Sequence, residues 1–155
     1  MSTGKLGLYY TYKPENASFK AKVGELSGES LDLCFQCGAC SSGCPLTAEM
    51  DLLPSKVIRY AQLGIDEVLD SKTIWVCAMC ETCATRCPHD INITKIMDAL
   101  KIVAQKEGIE SEVPSVPLFY RAALRGINWF GRMYEAGLMG EIYLQQTMSG
   151  PLNYQ

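Results

Sequence analysis

The residues able to do chemistry in this chain are its eight cysteines, which fall in two blocks. Cys34, Cys37, Cys40 and Cys44 lie in "LDLCFQCGACSSGCP", and Cys77, Cys80, Cys83 and Cys87 in "VCAMCETCATRCPH". Both blocks read C-x-x-C-x-x-C-x-x-x-C-P and close on Pro45 and Pro88. This is the spacing of the bacterial-type [4Fe–4S] loop. Iron in such a cluster takes thiolate ligands, and a cubane needs four of them. Three cysteines at two-residue gaps wrap a turning loop around three corners. In two-cluster proteins the fourth cysteine ligates the other cluster, and the proline after it redirects the chain. That rule assigns Cys34, Cys37, Cys40 and Cys87 to one cluster, and Cys77, Cys80, Cys83 and Cys44 to the other. The exchange ties the two halves of the chain together and holds the clusters close, as an electron relay requires.

Three other uses of clustered cysteine compete with this reading. Structural zinc uses two separated pairs of ligands and has no need of a third cysteine at the same step. A disulfide framework needs an oxidising compartment. Clusters kept for structure or regulation, without redox work, are the third. The start "MSTGKLGLYYTY" lacks the apolar stretch of a signal peptide. No apolar run approaches the roughly 18 residues of a membrane span. A cytoplasmic protein with reduced thiols is therefore expected. With a net charge of -3, general nucleic-acid binding has no electrostatic support.

The elements that must position the cysteines follow from an internal repeat. Cys34 maps onto Cys77 and Pro45 onto Pro88, an offset of 43 residues. Beyond each proline, Leu53, Val57 and Ala61 align with Ile96, Leu100 and Ala104, all apolar and stepping by four. Each motif thus feeds a helix. The first is expected at about Pro54 to Leu63, with Pro54 suited to the first turn and Gly64 to the stop. The second is expected at about Ile93 to Lys106, with a stripe of Ile93, Ile96, Met97, Leu100, Val103 and Ala104, and Gly108 as the stop. A short piece, Asp66 to Leu69, fills the linker. The stripes read as core.

Two flanks surround this body. The N-terminal arm, residues 1–27, carries Tyr9, Tyr10 and Tyr12 and reads as a loose terminus or as a strap on a partner. The C-terminal extension, residues 111–155, follows the break at Pro114 and Pro117. Its Leu118, Ala122, Trp129, Phe130, Met133 and Tyr134 need a cover, in this domain or on another subunit. Arg121, Arg125 and Arg132 are too scattered to argue for a membrane anchor. No dinucleotide loop or P-loop is present, and the single histidine, His89, reads as a solvent-side loop residue. A substrate site on this chain is not expected. Gly38 and Gly43 would let backbone N–H groups approach sulfur, and Arg86 beside Cys87 is either a surface arginine or a stabiliser of a reduced cluster.

The motif and helix layout resembles an α-helical ferredoxin, as in the second half of succinate dehydrogenase iron–sulfur subunits. The fold class expected is mainly α, with two [4Fe–4S] cluster-binding loops in residues 28–110 and helical flanks. "LDLCFQCGACSSGCP", "LPSKVIRYAQLG" and "TIWVCAMCETCATRCPHDINI" together resemble the C-type subunit of heterodisulfide reductase, over about residues 28 to 110. The resemblance implies a non-catalytic electron-transfer subunit. In that family the C-type subunit carries electrons from a flavin-bearing A-type subunit to a catalytic B-type subunit, which reduces the coenzyme M–coenzyme B heterodisulfide at C-C-G-held clusters. This chain has no C-C-G, which fits the C-type subunit. The same eight cysteines carry over as ligands. Relatives also serve sulfur-metabolism and quinone-linked hydroxy-acid dehydrogenase complexes, and a structural or oxygen-sensing module is a further alternative, so the terminal substrate does not follow from the fold.

Overall fold

A computed structural model describes residues 17–149. Among these the regular structure is helical, with no strand. Eight α-helices form: α1 (Ala17–Ser27), α2 (Ala39–Ser42), α3 (Pro54–Leu63), α4 (Lys72–Val76), α5 (Thr82–Thr85), α6 (Ile93–Glu107), α7 (Ser115–Phe130) and α8 (Glu135–Ser149). The two helices marked by the sequence pattern have the expected punctuation. Pro54 opens α3 and Gly64 closes it with a left-handed φ of 70°. Asn92 caps α6 by accepting the Lys95 N–H, and Gly108 closes it with φ 71°. The linker piece is a 3-10 turn over Asp66–Asp70.

The core lies along α6. Ile93, Ile96, Met97, Leu100, Val103 and Ala104 are all buried, and they meet Val57, Ile58 and Ala61 of α3 and Phe19 and Val23 of α1 in one cluster. Each such apolar side chain removed from water contributes about 1.5–3 kcal/mol. Residues 17–27 of the stretch read as an arm thus form a core helix. Tyr9, Tyr10 and Tyr12 lie outside the described residues. One position departs from the repeat pattern. Leu53 aligns with the fully buried Ile96, yet it is exposed and sits just outside α3. Proline at 54 drives the residue before it into the extended region (Leu53 ψ 148°), so α3 starts at Pro54 and leaves Leu53 as its N-cap.

Asp51 fastens the two repeats to each other. Its Oδ1 accepts from the Leu52 and Thr73 N–H groups and the Ser71 and Thr73 hydroxyls, and its Oδ2 from the Lys72 N–H, all at 2.7–3.0 Å. One carboxylate thereby satisfies the start of α4, the helix that delivers Cys77. Partial burial opposes the charge, but the Thr73 and Ser71 hydroxyls and the backbone donors outweigh it and hold the Asp51 carboxyl below the usual range. α7 and α8 form a hairpin packed on α4 through the start of α7, and Arg125 pairs with Glu141 at 2.8 Å.

A depressed folded-state pKa means that the Asp51 contribution is complete above the unfolded value, about 3.9, and fades as pH falls through the lower folded value. Asp51→Asn should lower stability by about 1 kcal/mol at neutral pH, the usual scale for losing a helix cap. The melting-temperature gap between the wild type and Asp51→Asn should narrow as pH is taken below about 4.

Candidate iron–sulfur site

The eight thiols stand around two hollows, and the hollows cross the repeat boundary. The first, with about 350 Å³ of free space including its mouth, is lined by Cys34, Cys37, Cys40 and Cys87, with Ile58, Ile91 and Ile93 behind them. The second, about 390 Å³, is lined by Cys77, Cys80, Cys83 and Cys44, with Met50, Pro54 and Met97. In each, three cysteines come from one motif and the fourth from the other. No three His, Cys, Asp or Glu side chains converge as ligands for a single ion among the described residues. The thiols instead ring a space.

The loops reach this arrangement through matching backbone geometry. Gln36 and Gly38 have φ of 63° and 79°; their repeat mates Met79 and Glu81 have 53° and 60°. Each loop therefore turns twice through the left-handed region between its first and third cysteines, then enters a one-turn helix, α2 or α5, that carries the third. These two short helices pack against each other. At the contact, the Arg86 guanidinium lies over Gly43, where a Cβ would come within 2.4 Å of it. Gly43 and Arg86 are mates under the same offset and immediately precede the two exchanged cysteines. The two glycines singled out in the sequence thus have different surroundings. Gly43 makes room for Arg86, and Gly38 supplies its positive φ with open space around it.

Burial grades the thiols in parallel. The second cysteines, Cys37 and Cys80, are exposed. Of the third cysteines, Cys40 is buried and Cys83 half-buried: burial pushes the Cys40 thiol up, and burial with the neighbouring Cys77 pushes Cys83 up to about 11. Bare thiolates at these two positions are unfavourable, so ionisation there calls for a positive partner such as iron. Cys80 shifts the other way because Thr82, 3.4 Å from its Sγ, and the Thr82 backbone hydrogen-bond the charged form. Sequence reasoning missed the groups that brace the loops from behind. Gln62 of α3 donates to the carbonyls of Leu31 and Cys34 at 2.7 and 2.8 Å, and Ser41 is bonded to Ser55 at 2.8 Å. A polar residue on the inner face of a helix beside a motif was the available signal. His89 is exposed in its loop and packs edge-on to Phe35, ring centroids 4.5 Å apart.

Comparison with known proteins meets this geometry directly. Residues 30–91 match the family described as "4Fe-4S dicluster domain". The chain carries a 4Fe–4S dicluster domain. Its eight cysteines and helical fold are those of a protein with two [4Fe–4S] clusters, and the donor set suits them: four thiols around each hollow, with apolar side chains behind.

The relatives of this dicluster chain have names in common. It is 45% identical over 85 residues to the C2 subunit of the H(2)/formate:CoB-CoM heterodisulfide,ferredoxin reductase of Methanococcus maripaludis, covering 55% of this chain and 46% of that one. It is 42% identical over 89 residues to the second C-type iron-sulfur subunit of the CoB--CoM heterodisulfide reductase of Methanocaldococcus jannaschii, covering 57% and 48%. It is 33% identical over 108 residues to a protein of Archaeoglobus profundus described as like the C-type heterodisulfide reductase subunit, covering 66% and 57%. The chain spans about half the length of the curated relatives it matches. The resemblance read from its motifs stands. No helix among the described residues is long and apolar enough to cross a membrane.

The left-handed loop positions make a paired test. Gly38→Ala places a Cβ in empty space, so its effect is conformational and should lower the melting temperature of the cluster-loaded protein by the equivalent of about 1–2 kcal/mol. Glu81→Gly, at the mate position, should be neutral within about 0.5 kcal/mol, because relief of the left-handed strain offsets the greater freedom of glycine when unfolded.

Proposed function

We propose that this chain is the electron-transfer subunit of a heterodisulfide reductase-type oxidoreductase, with no substrate site of its own. Cys34, Cys37, Cys40 and Cys87 hold one [4Fe–4S] cluster; Cys77, Cys80, Cys83 and Cys44 hold the other. The observation that carries the assignment is that the fourth cysteine of each motif lines the hollow of the opposite motif. When bound, the clusters supply one-electron acceptor and donor states. The chain's own residues do the rest. The eight thiolates bind iron, and apolar side chains such as Ile58, Ile91 and Met97 keep water away. The contact between α2 and α5 sets the two sites side by side.

Electrons on this reading enter from a flavin-bearing iron–sulfur partner of the A type and leave to a catalytic C-C-G-motif partner of the B type, which reduces the coenzyme M–coenzyme B heterodisulfide. Exposed Cys37 and Cys80 mark where each site comes nearest to solvent, and so where exchange with partners is fastest. Residues 28–110, braced by α1, are the relay body, and residues 111–155 are the docking extension. Leu124, Trp129 and Phe130 of α7 and Met139, Tyr143 and Leu144 of α8 are 60–73% exposed, and aromatic and methionine side chains are favoured in interface cores.

The ligand exchange is tested by Cys87→Ser. Electron paramagnetic resonance of the anaerobically loaded protein should lose or alter the signal of the cluster bound by Cys34, Cys37 and Cys40. Loss confined to the cluster of Cys77, Cys80 and Cys83 refutes the assignment. The complex is tested by anaerobic capture of the tagged protein from its host. A flavin-containing iron–sulfur protein and a C-C-G protein should be recovered together. A quinone-reactive membrane protein or an α-hydroxy-acid dehydrogenase in their place would move the chain to another oxidoreductase.

A further inference from the structure

The repeat makes the two sites near-copies, so a difference between them is informative. The carbonyl of Cys34 accepts from Gln62, a neutral amide, at 2.8 Å. The mate carbonyl, that of Cys77, accepts instead from the Lys101 ammonium at 3.3 Å. Lys101 is 6% exposed. It sits at the repeat position of Ile58, which lines the first hollow, and on the helical face of Thr94 and Met97, which line the second. The Tyr120 ring of α7 covers the ammonium from 5.8 Å.

Among the described residues this cation has no carboxylate partner. The ion pairs there involve Lys20, Lys22, Lys72, Lys95 and Arg125. Asp98, one turn earlier on α6, is half-buried and makes no ion pair with it. An ammonium removed from water is costly unless compensated. A backbone carbonyl and an aromatic face compensate only in part. A cluster ringed by four thiolates is a negative charge, and Cys77 is one of its four cysteines. At the corresponding place the first site has the apolar Ile58 instead of a cation. Arg86, the other nearby cation, is exposed and lies on the contact between the two sites, over Gly43 beside Cys44 of one set and next to Cys87 of the other, so it does not favour either.

We propose that Lys101 separates the two sites in electron affinity. Its buried positive charge makes the cluster at Cys44, Cys77, Cys80 and Cys83 the easier of the two to reduce, so a single electron settles there. The step is the addition of one electron, with no bond made or broken, and the added negative charge is what the ammonium stabilises. The inference rests on the ligand assignment proposed above.

The test is an anaerobic redox titration of the full-length, cluster-loaded protein with dithionite, followed by electron paramagnetic resonance. Wild type, Lys101→Met and Lys101→Arg are compared, with Cys37→Ser marking the signal of the first site. In Lys101→Met the reduced-to-oxidised ratio of the second cluster at a fixed potential should fall about tenfold or more, equivalent to about 59 mV for one electron. The first cluster should move much less, and Lys101→Arg should retain most of the wild-type value. Met matches the lysine stem in bulk, and Arg controls for any loss of packing. Equal shifts at both clusters, no shift, or a shift that Arg fails to rescue overturns the role of Lys101. Iron and sulfide analysis separates the two levels of failure. Loaded wild type without two [4Fe–4S] clusters overturns the ligand reading and this inference with it. Two clusters with potentials indifferent to Lys101 overturn this inference alone.

Discussion

The structure depends on the contact between α2 and α5. Each one-turn helix carries the third cysteine of its motif and ends where the fourth begins. Because equivalent turns of the two repeats pack on each other, Gly43 meets Arg86, and the chain leaving each turn faces the opposite hollow. No separate device is then required to exchange Cys44 and Cys87. A repeat folded by itself would have three thiols around its space and a fourth directed away from it. On the proposed ligand assignment the two sites are completed together or not at all, and residues far apart in sequence become neighbours through this one contact.

The rest of the body keeps that contact in register. α6 is long and buried along one face, and it offers a wall against which α1, α3 and α4 pack. Gln62 and Lys101 reach from α3 and α6 to the carbonyls of the two first cysteines, while Asp51 ties the segment after the first motif to the helix before the second. Polar side chains thus occupy the few interior places where irregular loop backbone has to be satisfied. The apolar stripes fill the remainder. The loops themselves contain left-handed residues that are not glycine, at Gln36, Met79 and Glu81. Such conformations persist only where the surroundings over-determine them.

The C-terminal hairpin obeys a different logic. α7 buries Ala122 and touches the body at Val116 and Tyr120, yet most of its large apolar side chains and those of α8 face outward. An isolated pair of helices with that surface is a poor stand-alone structure and a good half of an interface. Its attachment next to α4, the helix leading into Cys77, brings it to the side of the second site.

Much of this was legible in the residues themselves. Cysteine spacing is a local constraint set by the size of a cubane and the reach of a loop, so the cluster type could be read directly, while the sharing of the eight cysteines between two clusters is part of the proposal. Helices α3 and α6 were legible as well, because proline, glycine and apolar period act within a turn or two of where they stand. Other features required the third dimension. α1 joins the core by packing on α6, and nothing in the weak periodicity of residues 17–27 announces that. The close approach at position 43 comes from an arginine 43 residues later. Most of all, Lys101 is one more lysine in a helical pattern until the fold buries it. Its meaning depends on which face of α6 meets the second loop, and that is decided by packing between elements, where sequence pattern does not reach.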